Sequence, residues 1–538
     1  MRIAKTLGLC ALAAGLLACQ DMDVTNPNNP DREVVAQNPS DVEALISTSF
    51  RRWFNQSQST TPSLSLSTMA DELTSGFFDF GTQETSREPR EAINNDPIAA
   101  NPPHVTPFST YYSVIAGVNA GLRAIKKHNI KIMSGSTDVT ARAHAFGKFV
   151  QGLSHGYIAM LYDKGWVHSE EIDTDTLRFG GGSRQVHDLI RPYTEIRDTA
   201  IAELTEALQV ALTNEFTIPG DAAAEWIPGV TMTNEEFAQL INSYIARIMV
   251  YTARTPEERA AVDWEKVLTH IENGITRDFA PSGSPGIVES GYKRYSSRQR
   301  TTTPGDFARV DYMLIGPADV SDNFLEWYNT PWEKRTPFQI TTTDQRIGTG
   351  ADRGTYIGYH VANIWAEDRG TGQRSYYYFH RLGTGTSWQS GPILAMTVAE
   401  MDLLKAEALI RLGRAAEAVP LINKTRVANG GLDPVTINGV PGTAPNCIPR
   451  KLDGSCGSLW DALRYEKRIE GIGVDAAVSF ADMRGWGGLV VNTPLHYPIP
   501  GAELELLQEP MYTTGGGLAG SAAAPNPERC PVALPRCP

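Results

Sequence analysis

The stretch AEMDLLKAEALIRLGRAAEAVPLINKTRVANG, residues 399–430, constrains the fold more than any other part of the chain. Its apolar residues recur at helical spacing, Gly413 interrupts the first run, and Ala416 and Ala418 open a second. Small residues at such a junction let two helix backbones approach closely, the tetratricopeptide form of helical hairpin. A second copy, INSYIARIMVYTARTPEERAAVDWEKVLTHI at 241–271, has a longer turn. The same period runs through Phe146, Phe149, Leu153, Tyr157 and Met160 in 139–162, and through Phe237, Leu240, Tyr244, Ile248 and Tyr251 in 237–251. Segments 195–212, 262–276, 398–412, 415–429 and 458–472 also read as helices, and capping boxes (Thr233 with Glu236, Thr397 with Glu400) open two of the set. Asn38-Pro39-Ser40-Asp41 provides a cap, a proline at the first helical position and a first-turn acid, so the fold should begin at residue 38. The expectation is a mainly α chain of three or four degenerate hairpin units, placed mainly in 38–276 and 397–490.

Residues 280–395 break this pattern. Gly, Thr, Pro and aromatic residues replace the helical period, and a featureless loop of that length is improbable inside a compact domain, so short strands and long functional loops are expected there. Four of the ten tryptophans (Trp327, Trp332, Trp365 and Trp388) fall in this segment, with Tyr328, Tyr356, Tyr359 and the run Tyr376-Tyr377-Tyr378. Flat rings can stack on the C–H face of a sugar or cover another apolar ligand, each worth about 2.5 kcal/mol for ~100 Å² covered, before the cost of association.

The amino terminus carries Arg2 and Lys5 and then an apolar run, Leu7 to Ala18. As a helix that run covers roughly 18 Å, short of the ~30 Å hydrocarbon core, so residues 1–18 read as a cleaved secretory signal. Leu16-Leu17-Ala18-Cys19 resembles the bacterial lipobox, which makes Cys19 the expected lipidation site and 19–37, rich in Asn, Pro and Asp, a lipidated tether reaching at most about 60 Å. Without the signal the chain has 46 basic against 61 acidic residues, a balance of −15 taken from totals of 48 and 61 less Arg2 and Lys5. Such a surface has no electrostatic footing on phosphate backbones, which excludes nucleic acid as a partner. Cys447 with Cys456, and Cys530 with Cys537, form two local couples that suggest small disulfide-closed loops in an oxidising compartment, though four cysteines allow three connectivities. Zinc would favour tighter spacing with histidines nearby, so no metal site is expected.

No catalytic constellation emerges. GLSHG at 152–156 has the Gly-x-Ser-x-Gly spacing of an esterase nucleophile elbow, but it lies within a helical period rather than after a strand, so Ser154 should sit in mid-helix with Gly152 and Gly156 serving close packing. Asp173-Thr-Asp175 starts like a calcium loop and lacks the rest of one. No P-loop, His-Glu-x-x-His or strand-preceded Gly-x-Gly-x-x-Gly is present, so no catalytic residue and no cofactor is assigned. Carboxylates are plentiful, yet nothing selects a glycosidase pair among them.

The lipobox, NPNNPD, ADELTSGFFDFG (70–81), the hairpins, LLKAEALIRLGRAAEAVPLINKTR (403–426) and LRYEKRIEGIGVDAAVSFADMRGWG (463–487) occur in this order over nearly the whole chain. Together they resemble the SusD/RagB family of outer-membrane nutrient-binding lipoproteins. The last stretch is similar to the family signature ERR.EL..EG.R..DL.RWG at Glu466, Arg468, Glu470, Gly471, Asp482, Arg484 and Trp486, and departs from it at Lys467 and at 474–477. The resemblance implies a SusD-like α-α superhelix as one domain over 38–538, and a non-catalytic lid on a SusC-like TonB-dependent transporter. It implies a lipid-anchored place at the cell surface, and an oligosaccharide or peptide ligand held by loops. Carried over by position, Phe77, Phe78, Phe80, Trp327, Tyr328, Trp332 and Trp365 become the candidate ligand contacts, while Glu466, Arg468, Glu470, Asp482 and Arg484 become structural ion pairs on a helix and turn. A tetratricopeptide adaptor in the cell envelope, and a glycan or ester hydrolase, are the alternative readings.

Overall fold

The computed structural model describes residues 37–75, 81–88, 90–172, 184–221, 225–283, 308–350, 352–361, 375–381 and 391–513. The signal segment, Cys19, the tether, Phe77, Phe78, Phe80, Asp173-Thr-Asp175, Trp365, Trp388, Cys530 and Cys537 lie outside the described residues.

Helices carry the chain and stack in a row. Val105–His128 packs on Thr140–Leu161, which packs on Tyr193–Thr213, then Asn234–Tyr251, then Trp264–Glu272. The row continues across the insert: Val398–Arg411 docks directly on Trp264–Glu272, and Ala415–Ala428 and Leu459–Gly471 follow. Residues 280–395 are therefore an excursion from a continuous helical stack. One large core fills the amino-terminal bundle, and a smaller one lies beneath the 398–463 hairpin.

Local signals act as expected at several helix ends. Pro39–Ser47 starts with Asn38 Oδ1 accepting from Ser40 N at 3.1 Å. Gly413 ends the first helix of the 399–430 hairpin with a φ of +77°, a left-handed turn that glycine takes without a Cβ penalty. The Thr233–Glu236 capping box makes both of its bonds, at 3.2 and 3.0 Å. The second expected box is only half formed. Thr397 Oγ1 accepts from Glu400 N at 3.0 Å, but the Glu400 carboxylate takes two bonds from the buried Arg247 guanidinium instead, at 3.0 and 2.6 Å. A charge-assisted bidentate pair outcompetes a neutral backbone N–H.

GLSHG lies in mid-helix, within Thr140–Leu161. Ser154 Oγ donates back to Val150 O at 2.8 Å, and His155 Nδ1 lies 2.8 Å from Glu203 Oε2 between helices. A Cβ on Gly152 would stand 2.7 Å from Leu204 Cγ and 3.0 Å from Ala200 O, and one on Gly156 2.3 Å from Ile248 Cδ1. Both glycines thus permit close helix–helix approach, and the nucleophile-elbow geometry is absent.

The insert holds short antiparallel pairs: Leu73–Thr74 with Arg309–Val310, Ile357–Tyr359 with Tyr377–Phe379, and Ser282–Gly283 with Gly391–Pro392. It has its own hydrophobic core, built from Tyr312, Trp327, Tyr377, Phe379 and their neighbours and closed by Tyr465, Ile469 and Ile472 of the 459–471 helix region. Cys447 and Cys456 are disulfide-bonded, as the local-couple reading expects.

Candidate functional site

The insert's rings form a connected ladder. Tyr312 is its hub: Phe338 stacks on it at 4.4 Å between centroids, Trp327 lies at 5.1 Å and Tyr377 at 6.0 Å. Tyr359 continues from Tyr377 at 5.1 Å, and Tyr376 meets Tyr359 edge-on at 6.0 Å. Hydrogen bonds fix the hub. Tyr312 Oη donates to Phe338 O (2.6 Å) and accepts from Phe338 N (2.8 Å), while Tyr377 Oη accepts from Ile340 N at 2.7 Å. Tyr312, Trp327 and Tyr377 are buried, whereas Phe338, Tyr359 and Tyr376 are half-exposed, so the ladder runs from the insert core to its surface.

Beside the ladder, the Asn323–Asn329 helix and a single turn at Trp332–Lys334 present the remaining candidates. Arg335 locks this turn. Its Nε and Nη2 donate to Thr330 O and Tyr328 O at 3.1 Å, its guanidinium lies 4.2 Å from the Trp327 ring centroid, and it pairs with Glu88 at 3.5 Å. Glu88 follows the Thr82–Ser86 helix, and Thr74 on the other side of residues 76–80 pairs with Arg309. The structure therefore ties one flank of residues 76–80 to the Trp327–Arg335 turn through Glu88 and the other to the strand at Arg309, although more than 200 residues separate these partners in sequence.

This placement corrects two of the expected contacts. Trp327 is 4 % exposed and Tyr328 1 %, so both are core rings that support the turn rather than offer a face to solvent. Phe324 lies 6.1 Å from each of them, and Arg335 covers the other side of Trp327, which is why the insert keeps them inside. Trp332, on the same turn, stays half-exposed. Phe338 is the surface ring that sequence reading did not single out. A lone phenylalanine in FQITTTDQR carries no periodic signal, and only its stacking on Tyr312 places it at the surface end of the ladder.

A buried charge cluster joins residues that precede and follow 76–80 in sequence. Asp71 pairs with Arg90, and the Arg468 guanidinium donates to the carbonyls of Met313, Ala70 and Asp71 at 2.7, 3.1 and 2.8 Å. Burial, and then the neighbouring Asp71 charge, push the Asp311 carboxyl well above its ordinary 3.8. A carboxyl raised in this way keeps its proton in the folded chain at pH values where the unfolded chain has lost it. It costs nothing below about pH 4 and subtracts stability as pH rises toward its folded value. Asp311→Asn retains the oxygen that caps Met313 N (2.7 Å) and removes the charge. Thermal melts should coincide for variant and wild type at pH 4, with the variant melting higher at pH 7.

The 463–487 charges are structural, as expected, but apart from Lys467 with Asp482 they find their partners outside the stretch. Glu466 and Glu470 take Arg346 from the insert (2.7 and 3.0 Å), Asp482 takes Arg259 and Lys467 (2.7 and 2.8 Å), and Arg484 donates only to backbone carbonyls.

No family model matches the sequence, and no curated protein does either. Solved structures do match. A SusD superfamily protein from Bacteroides fragilis aligns at a TM-score of 0.54 and 15 % identity, covering 87 % of this chain and 98 % of that one. A SusD homolog from Parabacteroides distasonis aligns at 0.53 and 14 % identity over 84 % and 85 % of the two chains. The chain has the SusD-like fold. A SusD-like carbohydrate binding protein from Bacteroides fragilis gives 0.53 at 13 % identity, over 84 % and 87 %. Within this SusD-like fold the ring ladder grows out of the insert core, and among the described residues no helix is long and apolar enough to cross a membrane.

Proposed function

We propose that this chain is a non-catalytic surface lipoprotein that binds an oligomeric nutrient, a glycan first, and delivers it to a SusC-like TonB-dependent transporter in the outer membrane. In this reading residues 1–18 are removed, Cys19 is acylated, 19–37 form the tether, and 38–538 act as one binding domain. The carrying observation is the aromatic ladder, whose buried members hold Phe338, Tyr359 and Tyr376 at the surface beside the Trp332 turn. Rings pre-set by buried partners bind at little ordering cost, which suits reversible capture of a long ligand. The SusD-like fold, shared with a protein described as carbohydrate-binding, supports the same ligand class.

Calorimetry on residues 20–538 with a panel of oligosaccharides and peptides tests it. At least one glycan should bind in the micromolar to millimolar range. Trp332→Ala should then weaken binding about tenfold or more, since losing ~100 Å² of ring contact forfeits up to ~2.5 kcal/mol. Unchanged affinity for Trp332→Ala and for a Tyr359→Ala, Tyr376→Ala double variant, or no binding across the panel, would refute the proposal. Phe77, Phe78, Phe80 and Trp365 remain proposed contacts for the same test.

A further inference from the structure

A cleft of about 250 Å³, lined by none of the ladder residues, opens where the first turns of the Asn234–Tyr251 helix meet residues 275–280. Its floor is apolar, with Met232 and Phe279 buried in the main core and Ile275 packed against it. Its rim is polar: Thr231, Gln239, Arg277, Asp278 and Glu236. The walls are backbone-tied. Ser282 N donates to Pro228 O at 2.7 Å, Phe279 N to Met396 O at 2.8 Å, and Ala395 N to Phe279 O at 3.0 Å. The rim carboxylates are also held in place, since Glu236 Oε2 accepts from Thr233 N (3.0 Å) and Asp278 Oδ1 from Val398 N (2.8 Å). The cleft is thus pre-formed rather than a gap between loose side chains.

We infer that this cleft is a binding site for a single small, uncharged polyhydroxylated ring. The charge balance selects a neutral ligand. Arg277 is already paired with Glu236 at 2.8 Å, so an incoming anion would compete with a carboxylate in place, and Asp278 spends one oxygen on a backbone N–H. What the rim has left are mixed donors and acceptors: the Gln239 amide, the Thr231 hydroxyl (whose oxygen already accepts from Gly220 N at 3.2 Å), the second Asp278 oxygen and the outer Arg277 N–H groups. A hydroxyl both donates and accepts, so neighbouring hydroxyls on one ring can satisfy such a rim in either order. The apolar floor matches the C–H face of that ring, and one monosaccharide unit, not a chain, suits the volume. The site involves none of the ladder residues and stands or falls independently of the glycan-capture reading.

Methyl NMR on the full mature chain, labelled at isoleucine and methionine, reads the cleft through Ile275 and Met232, with the Ile275 resonance identified by an Ile275→Val variant. The probes are the methyl glycosides of glucose, galactose, mannose and N-acetylglucosamine, with sodium acetate and glycinamide as charged controls. At least one glycoside at up to 50 mM should shift both resonances saturably. Gln239→Trp, which fills the cleft from a half-exposed position, should abolish the shift, and Arg277→Ala should weaken binding at least threefold. Trp332→Ala should leave the titration unchanged, which separates this site from the ladder. The inference is overturned if no glycoside moves Ile275, if the shift survives both cleft variants, if Trp332→Ala removes it, or if only a charged control produces it.

Discussion

Replacing Arg346 with methionine is expected to cost ~3–5 kcal/mol of stability at pH 7, the largest effect of any substitution considered for this chain. Arg346 has no exposed side-chain surface and spends all five of its N–H groups on three buried carboxylates. Nε and Nη2 hold Asp344 at 2.9 and 2.7 Å, Nη1 and Nη2 hold Glu466 at 2.7 and 2.9 Å, and Nη1 reaches Glu470 at 3.0 Å. Burial lifts the Glu466 carboxyl above its ordinary range even with this cation beside it. Without it, Asp344, Glu466 and Glu470 would have to take up protons or stay charged in an apolar interior. The loss should therefore shrink as pH falls from 7 to 5, because protonation relieves the orphaned acids. Scanning calorimetry at the two pH values checks both size and sign. Arg346→Lys should fall between, since an ammonium has three donors for five acceptor contacts. Arg346 lies in the insert and two of its three partners, Glu466 and Glu470, on the helix Leu459–Gly471, so limited proteolysis should show the insert becoming cleavable first.

Arg484→Met is expected to cost ~2–4 kcal/mol, with no change between pH 5 and 7. Its guanidinium donates to Ala253 O (3.1 Å), Met160 O (3.0 Å), Leu495 O (2.6 Å) and Tyr251 O (2.7 Å). Arg254 beside it donates to Met160 O, Leu495 O, Ala159 O and Tyr162 O. Apart from Leu495 O, these carbonyls cluster at the carboxyl ends of Thr140–Leu161 and Asn234–Tyr251, where a helix leaves its last acceptors unpaired and its dipole is negative. Two buried cations cap two converging helix ends. Desolvation and the neighbouring Arg254 charge lower the Arg484 pKa well below the usual guanidinium range, which offsets part of the gain and makes the expected loss smaller than for Arg346. Carbonyls do not titrate, so the flat pH response distinguishes this joint from the acid-filled one. Urea midpoints for the two variants at both pH values provide the comparison.

The signature residues show how far sequence reading reaches. Their structural role was legible, because clustered Arg and Glu on an amphipathic helix near a Gly turn have few other uses. Their partners were not: Arg346 lies 120 residues before Glu466, and Tyr251 O lies 233 residues before Arg484. The Val105–His128 helix escaped the periodic scan altogether. Its Thr, Ser, Tyr, Val and Gly content has weak helix propensity, and only packing against Pro39–Ser47 and Thr140–Leu161 fixes it. At the candidate site, the crowding of rings was visible in the sequence, but which ring faces water was not. Trp327 and Trp332 are five residues apart and of one type, yet one is core and the other half-exposed.

What the sequence determined by itself was the local architecture: the helical hairpins, the break at Gly413, the mid-helix setting of Ser154 and the Cys447–Cys456 closure. These follow from period, turn chemistry and chain proximity, which act over a few residues. The tertiary structure alone decided which charges meet, which rings are buried and where the clefts open. Those outcomes depend on desolvation and on contacts between segments hundreds of residues apart, and no short stretch of chain encodes either one.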